Sequence, residues 1–140
     1  MSGKVKIAFI CTHNSCRSQM AEAICKLKAS DVFEAYSAGT EPRKEINSDA
    51  IRIMQKIYNI NMLESHRPKL LSEIPHVDIV VTMGCGVQCP YLPCKHREDW
   101  GLEDPSGQPD MIELTAKVIE DKVLDLKTRI LSFKSADIQK

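Results

Sequence analysis

Two runs of apolar and β-branched residues constrain this chain most: 5–10 (VKIAFI) and 77–82 (VDIVVT). Both are nearly continuous rather than alternating, as in strands buried on both faces of a parallel sheet. Residues 33–38 (FEAYSA) form a weaker third run. Between the runs lie helical patterns: residues 18–28 place Met20, Ile24 and Leu27 on one face, and residues 48–58 do the same with Ile51, Met54 and Ile57. Near the C-terminus, Ile112, Ala116, Ile119, Val123, Leu126 and Ile130 make one stripe of a long amphipathic helix that reads as a cover for the sheet. Strands alternating with helices predict an open, mostly parallel sheet with helices on both faces, and such sheets bind ligands beyond the carboxyl ends of their strands. The site is therefore expected after Ile10 and after Thr82.

With 140 residues, the chain is expected to form one domain over 1–140. Lys plus Arg and Asp plus Glu both number 19, so no net charge draws it to nucleic acid or an anionic membrane. The longest apolar run, 7–11, is far too short to span a bilayer, and the opening MSGKVK lacks the pattern of an export signal. A cytoplasmic monomer is the expectation. In that setting the six cysteines argue against a disulfide framework and for thiol chemistry or metal binding.

The first chemical constellation is Cys11, Thr12, His13, Asn14, Ser15, Cys16, Arg17 and Ser18, directly after a strand and before a helix. The C-x5-R spacing alone is weak; its placement is the stronger sign. A loop closing onto a helix N-terminus turns successive N–H groups inward, and with one guanidinium it makes a cradle for a tetrahedral oxyanion. The same field favours Cys11 as a thiolate nucleophile. Ser18 either donates to that sulfur or caps the helix. Cys16 and Cys25 read as structural thiols, with a Cys11–Cys16 disulfide as an alternative, and the His13 side chain is expected to point to solvent.

The second is Cys85-Gly-Val-Gln-Cys89, followed by Cys94 and His96, within a long region rich in Gly84, Gly86, Gly101, Gly107, Pro90, Pro93, Pro105 and Pro109. Long irregular segments in small domains are usually functional. Cys85 and Cys89 can close a disulfide if the segment is turned. A zinc site of Cys85, Cys89, Cys94 and His96 is the rival, with cramped spacing and no C-x2-C knuckle. Incidental thiols are the third reading, and a redox role is favoured.

FICTHNSCRSQMAEA (9–23), SAGT (37–40), SHRPKLL (65–71), VVTM (80–83), Asp99-Trp100 and Glu103-Asp104-Pro105 together resemble the low-molecular-weight protein tyrosine phosphatase superfamily, specifically its arsenate reductase branch. The resemblance runs through nearly the whole chain. It implies a four-stranded parallel open sheet flanked by helices, with Cys11 as nucleophile, Asn14 organising the loop, Arg17 binding the oxyanion and Asp104 as general acid; Asp99 and Glu103 compete for the last role. It further implies arsenate as substrate and a thiol relay. Cys11 attacks arsenate, Cys85 attacks Cys11 and expels arsenite, and Cys89 attacks Cys85 to leave a disulfide, with Cys94 as a substitute resolving thiol. No tightly bound cofactor is expected, and an external reductant, thioredoxin by preference, regenerates the enzyme. The TMGCG stretch is shared with members that use a low-molecular-weight thiol with a glutaredoxin-like protein. Asn14, Glu22 and Ser37 fall where some members ligate potassium. The alternative activity is hydrolysis of phosphate monoesters through a Cys11 phosphoenzyme. Against it, only Trp100 and Tyr91 are large rings near the acid segment, and a phosphatase has no use for Cys85 and Cys89.

Overall fold

The computed structural model describes residues 4–84 and 94–138, with side chains through 132. Strand β1 (Val5–Cys11) leads into helix α1 (Arg17–Lys28), followed by β2 (Phe33–Gly39), α2 (Ser48–Tyr58), a single turn α3 (Met62–Ser65), β3 (Ile79–Thr82), β4 (His96–Asp99) and α4 (Pro109–Ile138). All neighbours pair in parallel in the order β2-β1-β3-β4. The four-stranded parallel open sheet expected from the sequence is the sheet that forms. Cys85 and Cys89 lie outside the described residues.

The order places the chain's reversal of direction at β1, which pairs with β2 from Val5 opposite Phe33 to Cys11 opposite Gly39, and with β3 from Ile7 opposite Ile79 to Ile10 opposite Thr82. The crevice beyond the carboxyl end of β1 is thus the switch point where ligands of open α/β sheets bind. Alternation along β1 divides the core. Ile7, Phe9 and Cys11 join the large apolar cluster with Met20 and Ile24 of α1, Ile53 and Met54 of α2, and Ile112, Ile119 and Leu126 of α4. Ala8 and Ile10 face the other way, with Val80 and Ala38, under Leu71 and Ile74 of a short 3₁₀ segment. Complete burial of Ile7, Phe9 and Ile10 explains why β1 reads as continuous rather than alternating apolar sequence.

Helix α2 begins where Asn47 accepts hydrogen bonds from the amides of Asp49 and Ala50, and it ends at Asn59 in the left-handed conformation, φ 55°. Strand β4 has the sequence HRED, with no apolar pattern to announce it. It is an edge strand, and charged side chains are the usual protection of an exposed edge. Glu98 ties it down. Its carboxylate accepts Arg129 Nη1 and Nη2 at 2.9 and 3.0 Å, Trp100 Nε1 at 2.6 Å and His96 Nε2 at 2.7 Å. This anchors α4 to the sheet edge and sets Trp100 against Phe9, ring centroids 5.5 Å apart.

The Arg129 bonds, opposed by partial burial and helped by His96 and Trp100, hold the Glu98 carboxyl at about 2 against an ordinary 4.5. A carboxyl lowered in the folded state stabilises above its unfolded value and loses that contribution as pH falls through the folded one. Glu98→Gln is therefore expected to cost about 1–2 kcal/mol at pH 7, a charge-assisted bond discounted for partial exposure. The gap from wild type should close below pH ~4.5. Urea unfolding of both proteins between pH 7 and pH 3 checks this, and a gap that fails to narrow assigns the loss to packing instead of charge.

Candidate active site

The segment between β1 and α1 is built against residues 41–47. The amides of Glu41, Arg43 and Asn47 donate to the carbonyls of Thr12, His13 and Ser15 at 2.8, 3.0 and 2.8 Å. Across a trans peptide the following N–H points opposite to the carbonyl. Committing these three oxygens outward therefore turns the amides of His13, Asn14 and Cys16 inward. Gly39 makes room for the turn: a Cβ there would lie 2.6 Å from the Thr12 carbonyl oxygen.

Asn14 takes a positive φ of 49°, which a non-glycine residue adopts only when its surroundings hold it. Four hydrogen bonds do so. Its Nδ2 donates to Ser18 Oγ at 2.8 Å, its Oδ1 accepts from Gln19 Nε2 at 3.0 Å and from the Lys69 amide at 2.8 Å, and its backbone carbonyl accepts from Gln19 Nε2 at 3.1 Å. Gln19 also donates to the Arg67 carbonyl at 2.8 Å, joining the loop to the 67–69 segment. Because Asn14 donates to the Ser18 oxygen, the serine's own proton is the one available to Cys11 Sγ, 2.8 Å away. Ser18 makes no cap to α1, so of its two anticipated roles the structure selects the contact with sulfur. The first turn of α1 has neither a side-chain cap nor an acidic residue, leaving its amides to the loop.

Arg17 is buried, and its Nη1 donates to the carbonyls of Met83 at 3.2 Å and Leu102 at 2.6 Å. Those two carbonyls meet because β3 and the 100–102 segment run against each other, with the Leu102 amide on the Met83 carbonyl at 3.0 Å. Gly84 permits the approach: at φ 82°, a Cβ there would sit 2.5 Å from the Leu102 amide nitrogen. Cys11, His13, Ser15, Cys16, Arg17, Asp104 and Ser106 line one pocket over the carboxyl end of β1.

Of the three candidate acids, Asp104 alone lines this pocket. Asp99 is spent on structure: Oδ1 accepts the Thr82 hydroxyl at 2.6 Å and the Gly84 amide at 3.0 Å, and Oδ2 accepts the Gly101 amide at 3.1 Å. Glu103, exposed like Asp104, shares with it the lining of a groove against α4 but takes no part in the Cys11 pocket. Asp104 Oδ1 accepts the Ser106 amide and hydroxyl at 3.0 and 2.7 Å. Burial opposes its ionisation, but those bonds and the charge of Arg17 hold its carboxyl below the usual value.

Cys16 and Cys25 are buried free thiols. Burial, reinforced for Cys16 by the charges of Asp104 and Cys11 and for Cys25 by that of Glu22, pushes each up to about 12. Both stay neutral at physiological pH, and Cys11 is the buried thiol whose sulfur has the Ser18 hydroxyl beside it. The imidazole of His13, expected to face solvent, has Nδ1 on the Glu41 carbonyl at 3.1 Å. Two members of the zinc reading, Cys85 and Cys89, lie outside the described residues; of the other two, His96 Nε2 is on Glu98 and Cys94 packs beside the smaller core cluster.

Of the expected potassium ligands, Glu22 and Ser37 meet, but the set does not suit a resident ion. Asn14 Oδ1 is occupied by two donors, and Glu22 accepts the Ser37 hydroxyl and lies 2.6 and 3.6 Å from the ammonium groups of Lys26 and Lys69. Burial opposes ionisation of Glu22, yet the Lys26 and Ser37 bonds and the Lys69 charge keep its carboxyl low. The cation that balances Glu22 is the protein's own. Sequence reasoning misses Gln19, Lys69, the 41–47 segment and Ser106 as supports of the site; only the SAGT and SHRPKLL motifs point toward their neighbourhood.

The model of the low molecular weight phosphotyrosine protein phosphatase family matches residues 6–135. An arsenate reductase of Staphylococcus aureus (strain Newman) is 40% identical over 111 residues, covering 76% of this chain and 82% of that protein. A solved arsenate reductase in the phosphate binding state superposes with a TM-score of 0.80 at 30% identity, covering 90% of this chain and 98% of that one. The thioredoxin-dependent arsenate reductase of Corynebacterium glutamicum gives a TM-score of 0.70 at 29% identity, over 100% of this chain and 66% of its own.

Arg17→Lys tests the cradle directly. A lysine is a point charge and cannot both span the Met83 and Leu102 carbonyls and offer a planar fork to a tetrahedral anion. Calorimetric affinity for inorganic phosphate should fall by about a hundredfold, ~2.7 kcal/mol. Affinity within a fewfold of wild type would remove Arg17 from oxyanion binding.

Proposed function

The chain belongs to the low molecular weight phosphotyrosine protein phosphatase family, and from that premise we propose that it is an arsenate reductase, reducing arsenate to arsenite at Cys11. The observation that carries this reading is the convergence of Cys11, Arg17 and Asp104 on one pocket beyond the carboxyl end of β1. Inward-facing amides and the guanidinium hold the oxyanion, and the Cys11 thiolate attacks arsenic while Ser18 steadies the sulfur. Departure of an arsenic hydroxyl as water needs a proton. Asp104 is ionised in the free pocket; the negative charge of the bound oxyanion raises the carboxylate's proton affinity, so Asp104 takes from solvent the proton it passes to the departing hydroxyl.

Arsenic is reduced in the next step. The thiolate of Cys85 attacks Cys11 Sγ, the sulfur–arsenic electron pair passes to arsenic, arsenite leaves, and a Cys11–Cys85 disulfide remains. Cys89 then attacks Cys85, restoring Cys11 and forming a Cys85–Cys89 disulfide for a dithiol reductant. That reductant is thioredoxin in this reading, supported by the thioredoxin-dependent relative. Residues 1–140 act as one monomeric domain, in the cytoplasm where thiols are kept reduced. No described helix is long and apolar enough to cross a membrane. The family match also supports slow hydrolysis of phosphate monoesters in the same pocket.

Three variants separate the two chemistries. Cys11→Ser should abolish arsenate reduction and p-nitrophenyl phosphate hydrolysis together. Cys85→Ser should release no arsenite. Cys89→Ser should release about one arsenite per enzyme and stall with Cys11 joined to Cys85, both relay variants keeping their hydrolysis. Single-turnover arsenite assay followed by mass spectrometry of alkylated, nonreduced peptides reads each state, and full reductase activity in both relay variants sinks the intramolecular relay. Asp104→Asn should lower arsenate turnover about a hundredfold. Asp99→Asn should instead lower the melting temperature, and a larger turnover loss there than at Asp104 would reverse the acid assignment.

A further inference from the structure

The polar groups around the pocket are of two kinds. On the loop side are donors: the inward amides of His13, Asn14 and Cys16, and the Arg17 guanidinium, of which only Nη1 is committed to carbonyls among the described residues. The second kind are acceptors. Both Ser106 bonds of Asp104 fall on Oδ1, and Oδ2 takes no hydrogen bond among the described residues. The low carboxyl of Asp104 makes that oxygen an ionised acceptor. His13 supplies the second. A carbonyl oxygen only accepts, so the contact with Glu41 places the proton of the neutral ring on Nδ1 and leaves Nε2 a bare lone pair. His13 and Asp104 line the same pocket as Cys11 and Arg17.

We propose that this pocket selects a tetrahedral oxyanion that carries its own hydroxyl group, with Asp104 Oδ2 and His13 Nε2 as the acceptors that read it. The inference rests on the arsenate reading and narrows its substrate class to protonated oxyanions such as hydrogen arsenate and hydrogen phosphate. A fully deprotonated anion of equal charge fills the donor side equally well but sets oxygen lone pairs against two acceptors. An acceptor set against an anion oxygen forfeits its hydrogen bond and repels the lone pairs facing it, and that difference discriminates between the two anions even at half-buried or exposed partners.

Sulfate and hydrogen phosphate make the comparison clean, since at pH 8 both are dianions of similar size that differ by one proton. Calorimetric titration of the wild-type protein with each is expected to show phosphate bound at least about tenfold more tightly. Asp104→Asn, whose amide can donate to sulfate, and His13→Phe, which removes the ring lone pair, should each narrow the ratio, with folding verified by circular dichroism. Equal binding by the wild type, which needs no variant, overturns the proposal, as does a ratio unchanged in both variants. Neither readout involves turnover. A protein that shows the ratio but reduces no arsenate disproves the arsenate reading alone, and one that reduces arsenate with equal affinities disproves the selection alone.

Discussion

The left-handed turn at Asn14 is the constraint on which the site depends. Amides converge on a bound anion only if the backbone reverses within a few residues of the end of β1, and a non-glycine residue holds that conformation only under restraint. The restraint is distributed: Ser18 and Gln19 come from the first turn of α1, and the Lys69 amide comes from a segment more than fifty positions away. The loop is therefore shaped by tertiary structure. The same Ser18 that receives the Asn14 amide contacts the Cys11 sulfur, so the bond shaping the cradle also aims a proton at the nucleophile.

A second brace works from the other side. Arg17 must present a charge to the pocket while buried, and a buried guanidinium is tolerable only when its donors are satisfied. The Met83 and Leu102 carbonyls satisfy Nη1, and they meet because Gly84 admits the 101–102 backbone and Asp99 ties Thr82, Gly84 and Gly101 together. Asp99 thus resembles a catalytic acid by composition and proximity, whereas its hydrogen bonds make it the clasp that sets the arginine. Further out, Glu98 and Arg129 keep β4 on the sheet, and β4 carries Asp99.

Sequence reveals those interactions that leave a periodic trace. Burial on both faces makes β1 and β3 nearly continuous apolar runs, and burial on one face gives α1, α2 and α4 their stripes. Strand β4 leaves no such trace, because an edge strand is held by backbone pairing and ion pairs and can be wholly polar. Cys11, Arg17 and Asp104, which line one pocket, stand out in the sequence because the proposed chemistry demands particular residue types. Gln19 and the 41–47 segment are not: one side-chain amide reaching three carbonyl oxygens, and a backbone whose amides donate to the loop's carbonyls, impose no motif. The placement of His13 escapes sequence for a related reason, since its partner is the backbone of Glu41, which any residue there would supply.

The division of the pocket into donors and acceptors bears on how one scaffold serves two reactions. Hydrolysis of a phosphate ester and reduction of arsenate both begin with a thiolate attacking a tetrahedral centre, and the floor formed by Cys11, the amides and Arg17 does not distinguish them. The mouth can. An ester dianion has an organic group where arsenate has a hydroxyl, and it cannot donate a hydrogen bond to the Asp104 carboxylate or the His13 lone pair. With the mouth suited to a hydroxyl-bearing anion, the fate of the covalent adduct depends on which nucleophile next reaches it. Water completes a hydrolysis, whereas a thiol completes a reduction, because only attack at the Cys11 sulfur sends the electron pair to arsenic. On the proposed reading, specificity on this scaffold is set in two separate places, the acceptors at the mouth and the thiols that follow β3 in the chain.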